Sequence, residues 1–325
     1  MISDKKISQA LMDLFNDPGF PGRPAGLYEP LDYMMQLGGK RIRPHLCLLS
    51  YSLFKDTFDQ SILQPAAGLE IFHNFTLLHD DIMDRSELRR GKPTVWTKWS
   101  PDQAILSGDV MCIESYRRIA KAPVEALRQV FIIFSRTAAQ VCEGQQYDMD
   151  FESADYVTMD QYVHMIGLKT AVLIAAAGQI GAVIAGAPQE TASRIYDYGY
   201  DLGLAFQIAD DYLDTYGDEK VFGKPIGGDI VNNKKSWLLT RAYELCDKAD
   251  ERKDFISMMT LPCGTQSEKV SKIFFVKAAY NRLGVQDDAK VEIKRLTQQA
   301  LSHVQGIEGY ERLKAFAESL VGRVK

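Results

Sequence analysis

Residues 63–84 read LQPAAGLEIFHNFTLLHDDIMD, and the apolar positions Ala66, Leu69, Phe72, Phe75, Leu78 and Ile82 recur three or four apart. That is the repeat of one face of an α-helix, not the alternation of a strand. The same period runs through 123–150, 156–186, 190–217, 234–248, 269–284 and 287–304, and convincing β alternation is absent. Breakers separate these segments: Pro18–Pro30 is Pro/Gly-rich, Gly91–Pro93 ends one element, and GDEKVFGKPIGG at 217–228 is a loop. No Pro/Ser linker divides the 325 residues near their middle. The expected fold is all-α, a single domain over 1–325 built as a bundle of roughly ten or more helices around a core.

The opening stretch ends in acid. LLHDDIMD (77–84) and QIADDYLD (207–214) share the pattern apolar-x-Asp-Asp-x-x-Asp, 130 positions apart (210 − 80). That distance is too long for a solenoid repeat. On a helix Asp80 and Asp84 share a face, as do Asp210 and Asp214, and like charges one turn apart repel. Carboxylates set in apolar sequence are also costly to bury. A hard divalent cation removes both penalties. Magnesium in particular takes one or two carboxylates, several waters and phosphate oxygens in place of an all-protein cage. Asp80, Asp81, Asp84, Asp210, Asp211 and Asp214 are therefore candidate metal ligands. The Asp spacing is helical and no glycine-containing calcium loop follows, which excludes an EF-hand.

A formal charge of −5 gives no global reason to bind nucleic acid, so any basic site must be local. GGKRIRP (38–44) carries Lys40 and Arg43 at a loop-to-helix junction. RRGKP places Arg89 and Arg90 just past the first acidic cluster, and Lys224, Lys234 and Lys235 follow the second. Arginine forks match phosphate oxygens and lysines act as point charges, so cations flanking metal ligands suit a diphosphate. His73 lies two helical turns before Asp80 on the same face. No G-x-x-x-x-G-K-[ST] loop and no G-x-S-x-G elbow occurs.

Cys47, Cys112, Cys142, Cys246 and Cys263 are scattered, odd in number and never in a Cys-x-x-Cys pair, which reads as buried thiols in a reducing compartment. MISDKKISQA has no apolar h-region. AVLIAAAGQIGAVIAGA (171–187) is dominated by Ala and Gly and falls short of a membrane span, so it reads as a core helix. The expectation is a cytoplasmic protein that does not span a membrane.

GGKRIRP, HNFTLLHDDIMDRSELRRGKPT, GLKT, FQIADDYLD and GKPIGGDIVNNK occur in the order seen in trans-type (E-type) polyprenyl diphosphate synthases, which the chain resembles over roughly residues 30 to 240. The resemblance implies an all-α bundle, usually a homodimer, with the two aspartate-rich helices across a central cavity. It implies isopentenyl diphosphate and an allylic diphosphate as substrates, and three Mg2+ ions, with Mn2+ able to substitute. Asp80, Asp84 and Asp210 resemble direct metal ligands, and Asp81, Asp211 and Asp214 their supports. Lys40, Arg43, His73 and Arg90 resemble the isopentenyl diphosphate site. Arg89, Lys169, Lys224 and Lys234 resemble contacts to the allylic diphosphate. Thr170 and Gln207 resemble the dipoles aimed at the allylic carbon, and Gln145 and Asp148 wall residues of the same cavity. The implied reaction is ionisation, condensation and elimination.

Five and four residues before Asp80 stand Phe75 and Thr76; bulk followed by a small residue there resembles the geranylgeranyl type. The expected product has twenty carbons, with farnesyl diphosphate, a longer polyprenyl chain or a class I terpene cyclase as alternatives. ADDYLD together with GGKRIRP argues against the cyclase. Asp287 and Asp288 lack a third Asp and basic neighbours, and read as an acidic helix start.

Overall fold

The computed structural model describes residues 2–217, 226–246 and 249–322. It is 76% helical, which establishes the all-α class. In chain order the helices are α1 Asp4–Asn16, α2 Ala25–Gln36, α3 Ile42–Tyr51 and α4 Gln60–Met83, then α5 Val95–Lys98, α6 Pro101–Ile119, α7 Val124–Glu152 and α8 Met159–Ile166. A π-helical turn, Gly167–Ala171, leads into α9 Val172–Ile184 and α10 Gln189–Tyr216. After them come α11 Gly228–Val231, α12 Trp237–Leu245, α13 Ala249–Met259, α14 Gln266–Arg282, α15 Val285–His303 and α16 Tyr310–Val321.

Local chemistry sets many of the starts. Ser3, Asp59, Ser100 and Ser236 each accept a backbone N–H at the head of α1, α4, α6 and α12. Thr158 with Gln161, and Thr265 with Glu268, close reciprocal capping boxes on α8 and α14. Asp287 and Asp288 fall in the first turn of α15, as their acidity suggested, and Asp288 also holds Arg241 at 2.8 Å.

Two expectations need correction. Pro18–Pro30 was expected to break the chain, but α2 runs through Pro30. Proline removes the N–H that would bond Gly26 O; that carbonyl instead accepts Gln103 Nε2 at 3.3 Å. The Gly91–Pro93 break is a minimal hairpin, β1 Leu88–Arg89 against β2 Lys92–Pro93. Its two-residue turn, Arg90 and Gly91, has φ of 54° and 74°, the signature of the I′ turn that matches strand twist.

The chain falls into two compact units. One comprises 1–138, 173–196 and 307–309. Part of its core is Leu31, Met34, Ile71, Leu78, Val95 and Met111. The second comprises 139–172, 197–306 and 310–325, with Tyr162, Leu204, Ile208, Leu238, Val276 and Tyr280 in its core. The stretch 159–184 is apolar enough to cross a membrane, with mean hydropathy 1.6, but 78% of its most apolar window is buried inside the protein. A small residue permits close approach here: a Cβ on Gly181 would lie 2.0 Å from Cys47 O, so the glycine lets α9 touch the α3 backbone.

Candidate active site

In the first unit, α4 ends at the first aspartate cluster. Asp84 caps the helix, its N–H on Asp80 O at 2.8 Å. Asp80 and Asp84 are partly exposed. Asp81 is 2% exposed and takes three bonds from Arg89, two from Nε at 3.0 and 2.9 Å and one from Nη2 at 2.7 Å. Burial raises the Asp81 pKa, and Arg89 works against it. The hairpin therefore delivers Arg89 to an aspartate, although the sequence marked it for an allylic diphosphate. Both Asp81 oxygens being occupied, Asp81 stands here as a support for its neighbours.

The hairpin tip places Arg90 on Gly38 O. Gly39, at φ 144°, is needed for this: a Cβ there would lie 3.0 Å from Arg90 Nη2. His73 is pushed well below its ordinary pKa by burial and then by Arg43, Arg89, Arg90 and Arg41, so its imidazole is neutral at physiological pH. Four arginines thus bear on the charge of one histidine. Arg41 was missed in the sequence; it starts α3 in the left-handed region, bonds Glu70 Oε1 at 2.8 Å and Met35 O at 2.6 Å, and lies over the Phe15 ring. Arg43 is buried, its pKa drawn to about 10 by that burial, and its Nε has no partner. Glu70 offsets part of that burial, and a donor left without a hydrogen bond is relieved by an anion. Lys40 is exposed on the glycine loop.

In the second unit a cavity of about 160 Å³ is lined by Asp148, Tyr162, Lys169, Thr170, Gln207, Asp211, Asp229 and Lys234. The π turn carries Lys169 and Thr170; such single extra-residue turns often mark functional sites. Lys169 Nζ bonds Asp148 Oδ2 at 2.6 Å, and Lys234 Nζ stands 3.7 Å from the same oxygen. Burial would raise the Asp148 pKa, but the two ammonium groups prevail and hold it below the usual value. Thr170 Oγ1 donates to Gln207 Oε1 at 3.0 Å, and Gln207 Nε2 donates to Asp211 Oδ1 at 3.0 Å. Tyr162 OH and the Trp237 N–H complete Asp211 at 2.6 and 2.7 Å. Burial nevertheless pushes Asp211 up to about 7, against those three bonds. Asp214 Oδ2 accepts the Asp229 N–H at 2.9 Å. Asp229 is pushed well above its ordinary value by burial and by Asp214, Asp211 and Asp210.

Asp211 and Asp214 thus stand behind Asp210, which is partly exposed. Among the described residues no three His, Cys, Asp or Glu side chains form a ready metal cage. Tyr162 and Asp229 were missed in the sequence. Asp229 sits inside GKPIGGDIVNNK and could have been flagged; Tyr162 leaves no local signal. Lys224 lies outside the described residues.

The polyprenyl synthetase family profile matches residues 24–274. The chain belongs to the polyprenyl synthetase family. It is 40% identical over 230 residues to a geranylgeranyl diphosphate synthase of Methanosarcina mazei, covering 70% of this chain and 71% of that one. A geranylfarnesyl diphosphate synthase of Natronomonas pharaonis is 36% identical over 239 residues, 68% of this chain and 70% of its own. A crystal structure of a geranylgeranyl pyrophosphate synthase superposes with a TM-score of 0.92 at 42% identity, covering 99% of both chains. This polyprenyl synthetase is a trans-prenyltransferase, and its family uses a divalent metal to bind diphosphate.

Along α4, Phe75 packs on Phe72 (5.4 Å between centroids) and edge-on to His79 (4.9 Å). Phe72 continues to Phe134 at 5.3 Å and Phe134 to Tyr116 at 4.9 Å. Thr76 Oγ1 donates to His73 O at 2.8 Å, so its methyl, not its hydroxyl, is left for contact.

Proposed function

We propose that this enzyme condenses isopentenyl diphosphate with an allylic diphosphate and releases geranylgeranyl diphosphate. One observation carries the reading: cations gather at two places, with Arg43 and Arg90 bearing on the charge of His73 and with Lys169 and Lys234 on Asp148, which suits two diphosphates. A cyclase handles one diphosphate; a condensation handles two.

Lys40, Arg43, His73 and Arg90 hold isopentenyl diphosphate. Lys169, Lys224 and Lys234, with Arg89 once released from Asp81, grip the allylic diphosphate. Asp80, Asp84 and Asp210 would hold three Mg2+ ions, Mn2+ substituting, with Asp81, Asp211 and Asp214 behind them. When bound at these carboxylates, the metal would supply charge that neutralises the leaving diphosphate and weakens its bond to carbon. The lysines share that task at fixed positions, which is where preorganised charge contributes most. Thr170 and Gln207, fixed by the chain of bonds to Asp211, turn oxygen dipoles to the carbon that becomes cationic. The isopentenyl double bond attacks that carbon, and the departing diphosphate takes the proton that is then lost. No side-chain base is required, and neutral His73 serves as a binding group.

Phe75 on its aromatic column sets the floor of the growing chain and Thr76 leaves room beside it, which supports twenty carbons over twenty-five. The five free thiols support a cytoplasmic location. The exposed apolar residues Ile105, Leu106 and Ile113 on α6 and Phe131 and Ile132 on α7 support a homodimer. Incubation with magnesium, labelled isopentenyl diphosphate and an allylic primer tests the reading. An acid-labile twenty-carbon product upholds it; a cyclic hydrocarbon, or free phosphate alone, refutes it.

A further inference from the structure

Lys272 lies on α14, 1% exposed, and its Nζ donates to Asn233 Oδ1 at 2.7 Å. Asn233 directly precedes Lys234 and holds φ at 54°, a left-handed turn that asparagine visits but that still has to be held. A buried ammonium bonded to a neutral amide is a poor device for stability. A methionine would fill the same space without the cost of removing a charge from water. The charged donor does have one advantage, since its hydrogen bond is roughly twice as strong as a neutral one.

The adjacent residue, Ile273, closes the other end of the same segment: a Cβ on Gly227 would lie 2.6 Å from Ile273 Cδ1. Between these two anchors the chain carries Asp229, and Lys234 follows the second anchor directly. The Lys234 N–H bonds Asp229 O at 2.9 Å, and its ammonium reaches toward Asp148. α14 therefore braces, from behind, the segment that presents one of the diphosphate-gripping lysines.

We infer that Lys272 is a positioning residue, whose hydrogen bond fixes the Asn233 turn and thereby aims the Lys234 ammonium into the cavity. The inference rests on Lys234 being a diphosphate contact, and it adds a residue that touches neither substrate nor metal.

The test is a double-mutant cycle on the full chain, comparing wild type, Lys272→Met, Lys234→Ala and the double variant. The readout is affinity for inorganic pyrophosphate with magnesium, measured by calorimetry. Losing a charge-assisted bond predicts about tenfold weaker binding for each single variant. The double variant is expected to bind no more weakly than Lys234→Ala, because Lys272 acts through Lys234. In turnover, Lys272→Met should raise KM for the allylic substrate and leave KM for isopentenyl diphosphate unchanged. Lys272→Arg, which keeps the cation, should recover most of the loss. If Lys272→Met folds poorly, Asn233→Gly carries the test. It sits on an exposed turn, removes the acceptor, and still adopts the left-handed conformation. Losses that multiply in the double variant, or pyrophosphate binding by Lys272→Met equal to wild type, would overturn the assignment. A wild-type chain that fails to elongate would refute the proposed function instead, and the binding cycle would still decide the role of Lys272.

Discussion

Replacing Gly144 by alanine should damage catalysis far more than folding. Gly144 lies on α7, one turn before Asp148, and a Cβ there would sit 2.3 Å from Lys169 N and 2.7 Å from both Leu168 C and Lys169 Cα. These are backbone atoms of the π turn, so no side chain can rotate away. Ordinary contact begins near 3.4 Å, so the turn must retreat by at least 1.1 Å (3.4 − 2.3). Overpacking of this kind costs about 1–3 kcal/mol, while alanine in a helix recovers roughly 1 kcal/mol over glycine. The net loss of stability is therefore on the order of 0–2 kcal/mol, a shift of a few degrees at most in a chain of this size. Lys169 and Thr170 ride on the displaced turn, and a displacement of about 1 Å at a reacting centre can cost about 10²-fold in rate. Steady-state kinetics with the allylic substrate varied, paired with thermal unfolding, separates the two effects. A Gly144→Ala enzyme within about threefold of wild-type kcat/KM would refute the role given to this close approach.

Phe75→Ala should lengthen the product by one or more isoprene units, read by chromatography of the dephosphorylated alcohols; unchanged length removes Phe75 as the floor. Asp80→Ala and Asp210→Ala should abolish turnover while Asp214→Ala, which loses a support to the Asp229 N–H, keeps more of it; equal losses at all three would contradict the division of roles. Burial and four arginines hold folded His73 well below its ordinary 6.5. Between those two pKa values the unfolded chain binds a proton that the folded chain refuses, so stability falls as pH drops below about 6.5. Denaturant unfolding across that range should show a shallower slope for His73→Leu, and an identical slope would place the acid sensitivity elsewhere.

Much of this was legible in the sequence because it is local. The period of 63–84 requires a helix, and Asp80 and Asp84 fall on one face of it whatever the tertiary structure. The division of labour inside each cluster was less open to reading. Asp81 lies three residues past buried Leu78 and Asp211 three past buried Ile208, so both continue an apolar face inward. What they meet there, Arg89 from the hairpin and Tyr162 from α8, is set by packing between distant segments. The π turn is harder still: one extra residue in GLKTA changes no periodicity that a window could detect, yet it places Lys169 and Thr170. Pro30 misled for the same reason, since the carbonyl it orphans is satisfied by Gln103, 77 positions away. Lys272 reads in sequence as one more cation on an amphipathic helix, and only its burial marks it.

The central claim is that two diphosphates are bound and joined, and one comparison tests it most directly. Farnesyl diphosphate with magnesium is followed by mass spectrometry, with and without isopentenyl diphosphate, under single-turnover conditions. The account predicts one twenty-carbon diphosphate and one inorganic diphosphate per allylic molecule consumed, and near-silence when isopentenyl diphosphate is left out. Consumption of farnesyl diphosphate at the same rate without the second substrate would contradict it.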